Sequence, residues 1–123
     1  MKAAIIGYGK MGREIEKILI ARGHEVALII DIDNAADLNA QNLAGVDVAI
    51  EFTTPSTAVD NYKRAFAAGI PVVSGTTGWL DRMPEIEEEC RNGATFFYAS
   101  NFSLGVNVFF ALNRWLAAVM NRL

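Results

Sequence analysis

Ala3–Ile6 contains no polar side chain, and the chain returns to a largely apolar texture at Val26–Ile30, in VDVAIEF and in PVVS. A short run with no polar face suits a strand covered on both sides. The segments between these runs have a different period. In KMGREIEKILIARG, Met11, Ile15, Ile18 and Leu19 recur at helical spacing, and Gly23 supplies a C-terminal stop. Pro55 stops the third strand, Ser56 or Thr57 is available as a cap, and Ala58–Ala68 reads as a second helix ended by Gly69. Ile32–Gly45, with its Asp, Asn and Ala, has weak periodicity and reads as a loop holding one short helix. Asp81–Arg91 reads as an amphipathic helix, Ala94–Tyr98 as a fifth strand and Val108–Leu123 as a last helix. Short buried strands alternating with helices call for a parallel sheet with right-handed crossovers.

GYGKMG, Gly7–Gly12, joins the first strand to the first helix and has the form G-x-G-x-x-G. The pattern alone is weak, but here a strand precedes it, a helix follows, and Asp31 closes the next strand near the ~20-residue spacing expected of a ribose-binding acid. Gly7 permits the tight turn, Gly9 lets the backbone approach a pyrophosphate, and Gly12 lets helix and strand pack closely. The free N–H groups and dipole of the helix N-terminus favour an anion, and Lys10 and Arg13 add positive charge. A glycine-rich turn without a ligand would explain the glycines but not their context. The expected fold is therefore α/β: a doubly wound parallel sheet, a Rossmann-like dinucleotide-binding domain over residues 1–123. The Asp31 carboxylate can accept hydrogen bonds from adenosine ribose hydroxyls and would repel a 2′-phosphate. Asp33 could serve instead, or either acid could simply start a loop. Ile32 puts no positive charge beside Asp31, so NADH is preferred and NADPH is second.

The 123 residues suit one domain, and 52% hydrophobic content allows a core. Net charge is −3 with no basic block, which gives nucleic acid nothing to grip. One cysteine, Cys90, excludes an internal disulfide framework and fits a reducing cytoplasm. No leader pattern opens the chain, and the most apolar stretch, Ser103–Met120, is broken by Gly105, Asn107, Asn113 and Arg114. A cytoplasmic protein without membrane contact is expected.

Three further loops fall at the carboxyl ends of strands, where open α/β sheets bind ligands: EFTTPS, SGTTGW and ASNFSLGVN. Each is rich in small hydroxyl or amide residues, and each alone would pass as turn chemistry. Taken in order with GYGKMGRE, the segments DVAIEFTTPS, PVVSGTTGW and ASNFSLGVN resemble the motifs of the 4-hydroxy-tetrahydrodipicolinate reductase (dihydrodipicolinate reductase) family of lysine and diaminopimelate biosynthesis. The resemblance covers the whole chain, and GTTG with NFSLGVN carries most of its weight. It implies reduction of a cyclic dihydropicolinate-type substrate by NADH or NADPH. It further implies that the backbone from Gly7 through Tyr8, Gly9, Lys10 and Met11 to Gly12 holds the pyrophosphate and that Asp31 takes the adenosine ribose. Gly75, Thr76 and Thr77 would line the nicotinamide side, Ala99, Ser100, Asn101 and Phe102 would complete its pocket, and Thr53 would lie near the cofactor. Two departures stand out. The first loop is one residue shorter than the G-x-x-G-x-x-G common in the family, with Lys10 where an Arg is usual. Ile32 also follows Asp31 where an acid–Arg pair is common.

No catalytic or metal-ligating residue is expected in this chain. Its single histidine, His24, falls in the turn after the first helix, and the family's paired histidines, lysine and D-A-P-S-G-T-like segment have no counterpart. The chain is thus expected to be the cofactor-binding part of a reductase, inactive alone, with the substrate and tetramerisation domain absent; a free-standing, non-catalytic NAD(H)-binding or sensing module is the alternative. Glu85, Glu87, Glu88 and Glu89 read as a solvated face, Cys90 as an inert packing residue, and Trp79 as either a pocket shield or a capping hydrophobe. The last helix carries Val108, Phe109, Phe110, Leu112, Trp115, Leu116, Val119, Met120 and Leu123, apolar nearly all round, and is expected to self-associate.

Overall fold

The computed structural model describes residues 1–123. Strands β1 (Lys2–Ile6), β2 (Glu25–Ile30), β3 (Val48–Glu51), β4 (Val72–Ser74) and β5 (Phe96–Tyr98) form one parallel sheet in the order β2-β1-β3-β4-β5. Helices α1 (Lys10–Ala21), α2 (Pro55–Ala67), α3 (Met83–Arg91) and α4 (Leu104–Met120) follow β1, β3, β4 and β5, with 3-10 turns at Ile32–Asp37 and Leu80–Arg82. This is the Rossmann-like α/β arrangement. In register, Ile5 of β1 lies beside Ile29 of β2 and Ile50 of β3.

The alternation of side chains along β1 divides the core. Ala4 and Ile6 face α2 and α3 and join a buried cluster with Val59, Tyr62, Val72, Trp79 and Ile86. Ala3 and Ile5 face α1 and form a smaller cluster with Leu19. Because α1 leads outward to β2 on one face, while α2 and α3 lead the other way on the opposite face, the strand order reverses between β1 and β3. A crevice opens at that reversal, at the carboxyl ends of the strands.

Several local expectations shift. Pro55 opens α2 rather than only ending β3: Thr54 is the N-cap residue, and a proline at the first helical position lacks an N–H that would have no partner there anyway. A 3-10 turn precedes α3, and α4 begins at Leu104, where the Ser103 hydroxyl accepts the Val106 N–H at 3.4 Å. The weakly periodic segment after β2 buries Leu38, Leu43 and Val46, so it seals one end of the larger cluster. On α1 only a narrow stripe meets the sheet: Leu19 is buried, but Met11 and Ile18 are each 51% exposed. β2 is an edge strand and alternates in burial instead of being covered on both faces. Trp79 is a core residue, 1% exposed, and Cys90 is exposed rather than packed. α4 buries none of its residues, and Phe97, on the face of β5 opposite α2 and α3, is 60% exposed.

Candidate functional site

The loop after β1 is built around two glycines that nothing else could replace. Gly7 has φ +95°, and a Cβ on it would stand 2.0 Å from the Phe52 carbonyl oxygen. A Cβ on Gly12 would stand 2.2 Å from the Gly7 carbonyl oxygen. Gly9 differs: a Cβ there would meet nothing within 4 Å, so its backbone faces open space. Gly9 also occupies the N-cap position of α1 and has no side chain to cap it, and the first backbone bond of the helix runs from the Arg13 N–H to the Gly9 carbonyl. The N–H groups of the first turn are left for an outside acceptor. Tyr8 is held between two charges. Its ring lies under the Arg13 guanidinium at 4.7 Å, and its hydroxyl donates to Glu16, which with partial desolvation holds the phenol above its ordinary pKa.

Gly7, Tyr8 and Gly9 form one wall of a cleft of about 380 Å³ at the reversal of strand order. Asp31 and Ile32 at the end of β2 form a second wall, and Phe52, Thr53, Thr54, Thr57 and Asn61 a third. Asn34 sets the β2 corner: its Oδ1 accepts the Asp31 N–H at 2.7 Å and its Nδ2 donates to the Ile29 carbonyl at 2.9 Å. The Asp31 carboxylate is in no ion pair, and it stands across the cleft from the positive end of α1. The cleft therefore has an anion-attracting end and an acceptor end. These residues fit a dinucleotide: the open cradle at Gly9 suits a pyrophosphate, and Asp31 suits a hydroxyl donor.

Of the residues singled out from sequence, Gly7, Tyr8, Gly9, Asp31 and Thr53 share this cleft. Lys10 and Met11 expose their side chains on the first turn of α1, and Gly12 is buried beneath it. Gly75, Thr76, Thr77, Ala99, Ser100, Asn101 and Phe102 lie beyond it, at the ends of β4 and β5. Phe52 stands between the two groups. Its ring packs so close to Gly75 that a Cβ there would be 2.1 Å from Cε1, and its centroid is 6.1 Å from that of Phe102. Thr76 is buried with its hydroxyl turned inward, whereas Thr77, Ser100, Asn101 and Phe102 are exposed. In the last loop, Asn101 Oδ1 accepts the Ser103 N–H at 2.8 Å, and Asn107 Nδ2 donates to the carbonyls of Asn101 and Ser103 at 2.9 and 2.8 Å. The two asparagines of NFSLGVN thus shape the turn into α4.

Sequence reasoning passed over the carboxylate behind the cleft. Glu51, the last residue of β3, is fully buried. Its carboxylate accepts from the hydroxyl of Thr53, from Ser74 Oγ at 2.7 Å and from Thr76 Oγ1 at 3.0 Å. Tyr62 OH lies 2.7 Å from Ser74 Oγ, and burial pushes this phenol well above its ordinary pKa. The available signal was a charge at the end of an otherwise apolar strand, VAIE. Asn61 was also missed, and it lies one helical turn beyond Thr57 on α2, on the side that meets the cleft.

A sheet whose first strand enters a helix through this loop, with a cleft at the order reversal and an acid at the tip of the neighbouring strand, defines the Rossmann-like class of α/β domain. The chain belongs to the dihydrodipicolinate reductase family: a family model described as "Dihydrodipicolinate reductase, N-terminus" matches residues 1–102. It is 48% identical over 125 aligned residues to a 4-hydroxy-tetrahydrodipicolinate reductase of Christiangramia forsetii, covering 100% of this chain and 51% of that protein. Proteins of the same name from Archaeoglobus fulgidus and Methanothermobacter thermautotrophicus are 34% and 35% identical, with 98% and 89% of this chain and 53% and 40% of theirs covered. The chain spans about half the length, or less, of these curated relatives.

Proposed function

We propose that this chain is the nicotinamide-dinucleotide-holding part of a 4-hydroxy-tetrahydrodipicolinate reductase, serving lysine and diaminopimelate biosynthesis in the cytoplasm. The observation that carries the reading is the glycine loop: its outer glycines leave no room for a side chain, while Gly9 opens onto a cleft closed on its far side by Asp31. The Gly7–Gly12 backbone takes the pyrophosphate, with Lys10 and Arg13 adding positive charge outside it. Asp31 takes the adenosine ribose and selects NADH over NADPH, because a 2′-phosphate would meet a carboxylate with Ile32 beside it and no cation. Thr53 flanks the cofactor. The nicotinamide end extends past Phe52 towards Gly75, Thr76 and Thr77 and towards Ala99, Ser100, Asn101 and Phe102. Bound there, the cofactor supplies a hydride to a cyclic dihydropicolinate-type substrate. The substrate's binding groups and proton source lie in the remainder of the full enzyme, so this chain alone binds without turnover. Its uncovered α4 self-associates in the absence of that remainder.

Calorimetric titration of the 123-residue chain tests the reading. NADH is expected to bind with a lower Kd than NADPH, and Asp31→Ala to weaken NADH by about tenfold, the scale of a charge-assisted hydrogen bond. No heat with either cofactor, or a clear preference for NADPH, would overturn it.

A further inference from the structure

Glu51 is a fully buried carboxylate ringed by hydroxyl groups. Each hydroxyl that meets it has its acceptor side taken by another donor. Thr76 Oγ1 accepts the Thr53 N–H at 2.7 Å, Ser74 Oγ accepts the Thr76 N–H at 3.2 Å, and Thr53 Oγ1 accepts from Thr57 Oγ1 at 3.1 Å and Asn61 Nδ2 at 3.4 Å. Those contacts leave the hydroxyl protons of Thr53, Ser74 and Thr76 free to be donated to the Glu51 carboxylate. No lysine, arginine or histidine pairs with it. A buried carboxylate is therefore stabilised by dipoles alone, and its field is not cancelled by a counter-charge.

That charge sits one hydroxyl behind the Thr53 wall of the cleft and one hydroxyl behind the GTTG loop, the two places between which the proposed function puts the nicotinamide ring. The ring's charge is what changes in the reaction. Loss of a hydride, two electrons and a proton, turns the neutral dihydronicotinamide into a cationic pyridinium. We infer that Glu51 is an electrostatic positioning residue: through Thr53 and Thr76 it favours the oxidised, cationic ring over the reduced, neutral one, and so favours the cofactor state left after hydride departure. The inference rests on the proposed function above. A purely structural Glu51, tying the ends of β3 and β4 together, would strengthen or weaken all dinucleotides alike.

The test measures the binding of NADH, NAD⁺ and benzamide adenine dinucleotide, an uncharged isostere of the oxidised form, to the full chain. A unit charge acting across one or two hydroxyl layers supports a preference of about fivefold for NAD⁺ over the isostere in the unmodified protein. In Glu51→Gln, whose amide can still bond the same hydroxyls, the affinity ratio of NAD⁺ to NADH should fall by about the same factor. Equal affinity for NAD⁺ and the isostere in the unmodified protein overturns the inference whether or not the variant folds, and so does an unchanged ratio in a folded Glu51→Gln. Failure of all three dinucleotides to bind the unmodified protein is a different outcome; it overturns the proposed function and this inference with it.

Discussion

The three glycines of one loop are under different constraints, and substitution separates them. Gly7→Ala would place a Cβ 2.0 Å from the Phe52 carbonyl oxygen on a backbone at φ +95°, and Gly12→Ala would drive one into the Gly7 carbonyl at 2.2 Å. Backbone oxygens cannot rotate away, so each change should cost about 1–3 kcal/mol or more, read as a shifted urea midpoint. Gly9→Ala has open space around it and should leave that midpoint within about 0.5 kcal/mol while weakening NADH in the same calorimetric titration. A Gly9→Ala protein that binds NADH as tightly as the parent would remove Gly9 from the phosphate site. The sequence motif already gives the three positions different jobs, and the structure supplies what each one faces. Gly12 faces the Gly7 carbonyl of its own loop and Gly9 faces open cleft, whereas Gly7 faces the carbonyl of Phe52, just past β3, a neighbour that the local pattern does not encode.

At the scale of elements, the α2–α3 face shows how packing and charge divide the labour. Trp79 is 1% exposed, donates its Nε1–H to the Thr76 carbonyl at 2.7 Å, and meets Tyr62, Phe96 and Tyr98 edge to face at 5.2, 5.7 and 5.0 Å. Trp79→Ala should cost about 3–5 kcal/mol and, by releasing the GTTG carbonyl, should loosen that loop as well. The rim is ionic. Arg82 donates to both Glu85 oxygens at 2.6 and 3.0 Å, Lys63 reaches the same carboxylate at 2.5 Å, and Arg82 also meets Asp60 at 3.3 Å. Hydrogen bonds from Arg82 and then Lys63 hold the Glu85 carboxyl down at about 2, against an ordinary 4.5. Since the folded value lies below the unfolded one, the stabilisation is complete above about pH 4.5 and is lost as the pH falls towards 2. The group is partly exposed, so the effect is small and salt-sensitive. The stability difference between the parent and Glu85→Gln should be largest above pH 5 and close in acid; a difference that widens on acidification would contradict the assignment.

Two apolar surfaces of the whole molecule are uncovered: α4, and the β5 end of the α1 face of the sheet, marked by Phe97, which α1 does not extend to cover. Phe109, Leu112 and Leu116, at 56%, 55% and 48% exposure, lie on one side of α4 at helical spacing. Light scattering at tens of micromolar should report a mass above the 13.4 kDa of one chain, returned to monomer by Phe109→Lys with Leu116→Lys. A monomeric parent would count against self-association.

The alternation of short apolar runs with amphipathic segments determined the fold class, because a strand with no polar face has few stable homes other than a covered parallel sheet. The glycine loop and the acid after β2 were legible for a related reason: both depend on neighbours close in sequence. What only the tertiary structure decided depends on residues far apart in the chain. Glu51, Thr53, Ser74 and Thr76 meet because β3 and β4 pair in register, Glu51 beside Ser74. Phe52 divides the dinucleotide cleft from the GTTG loop because it lies against Gly75. The apolar pattern of α4 announced burial, yet its residues are exposed in this chain, because a helix is covered only when something is there to pack on it, and that partner is not encoded in its own periodicity.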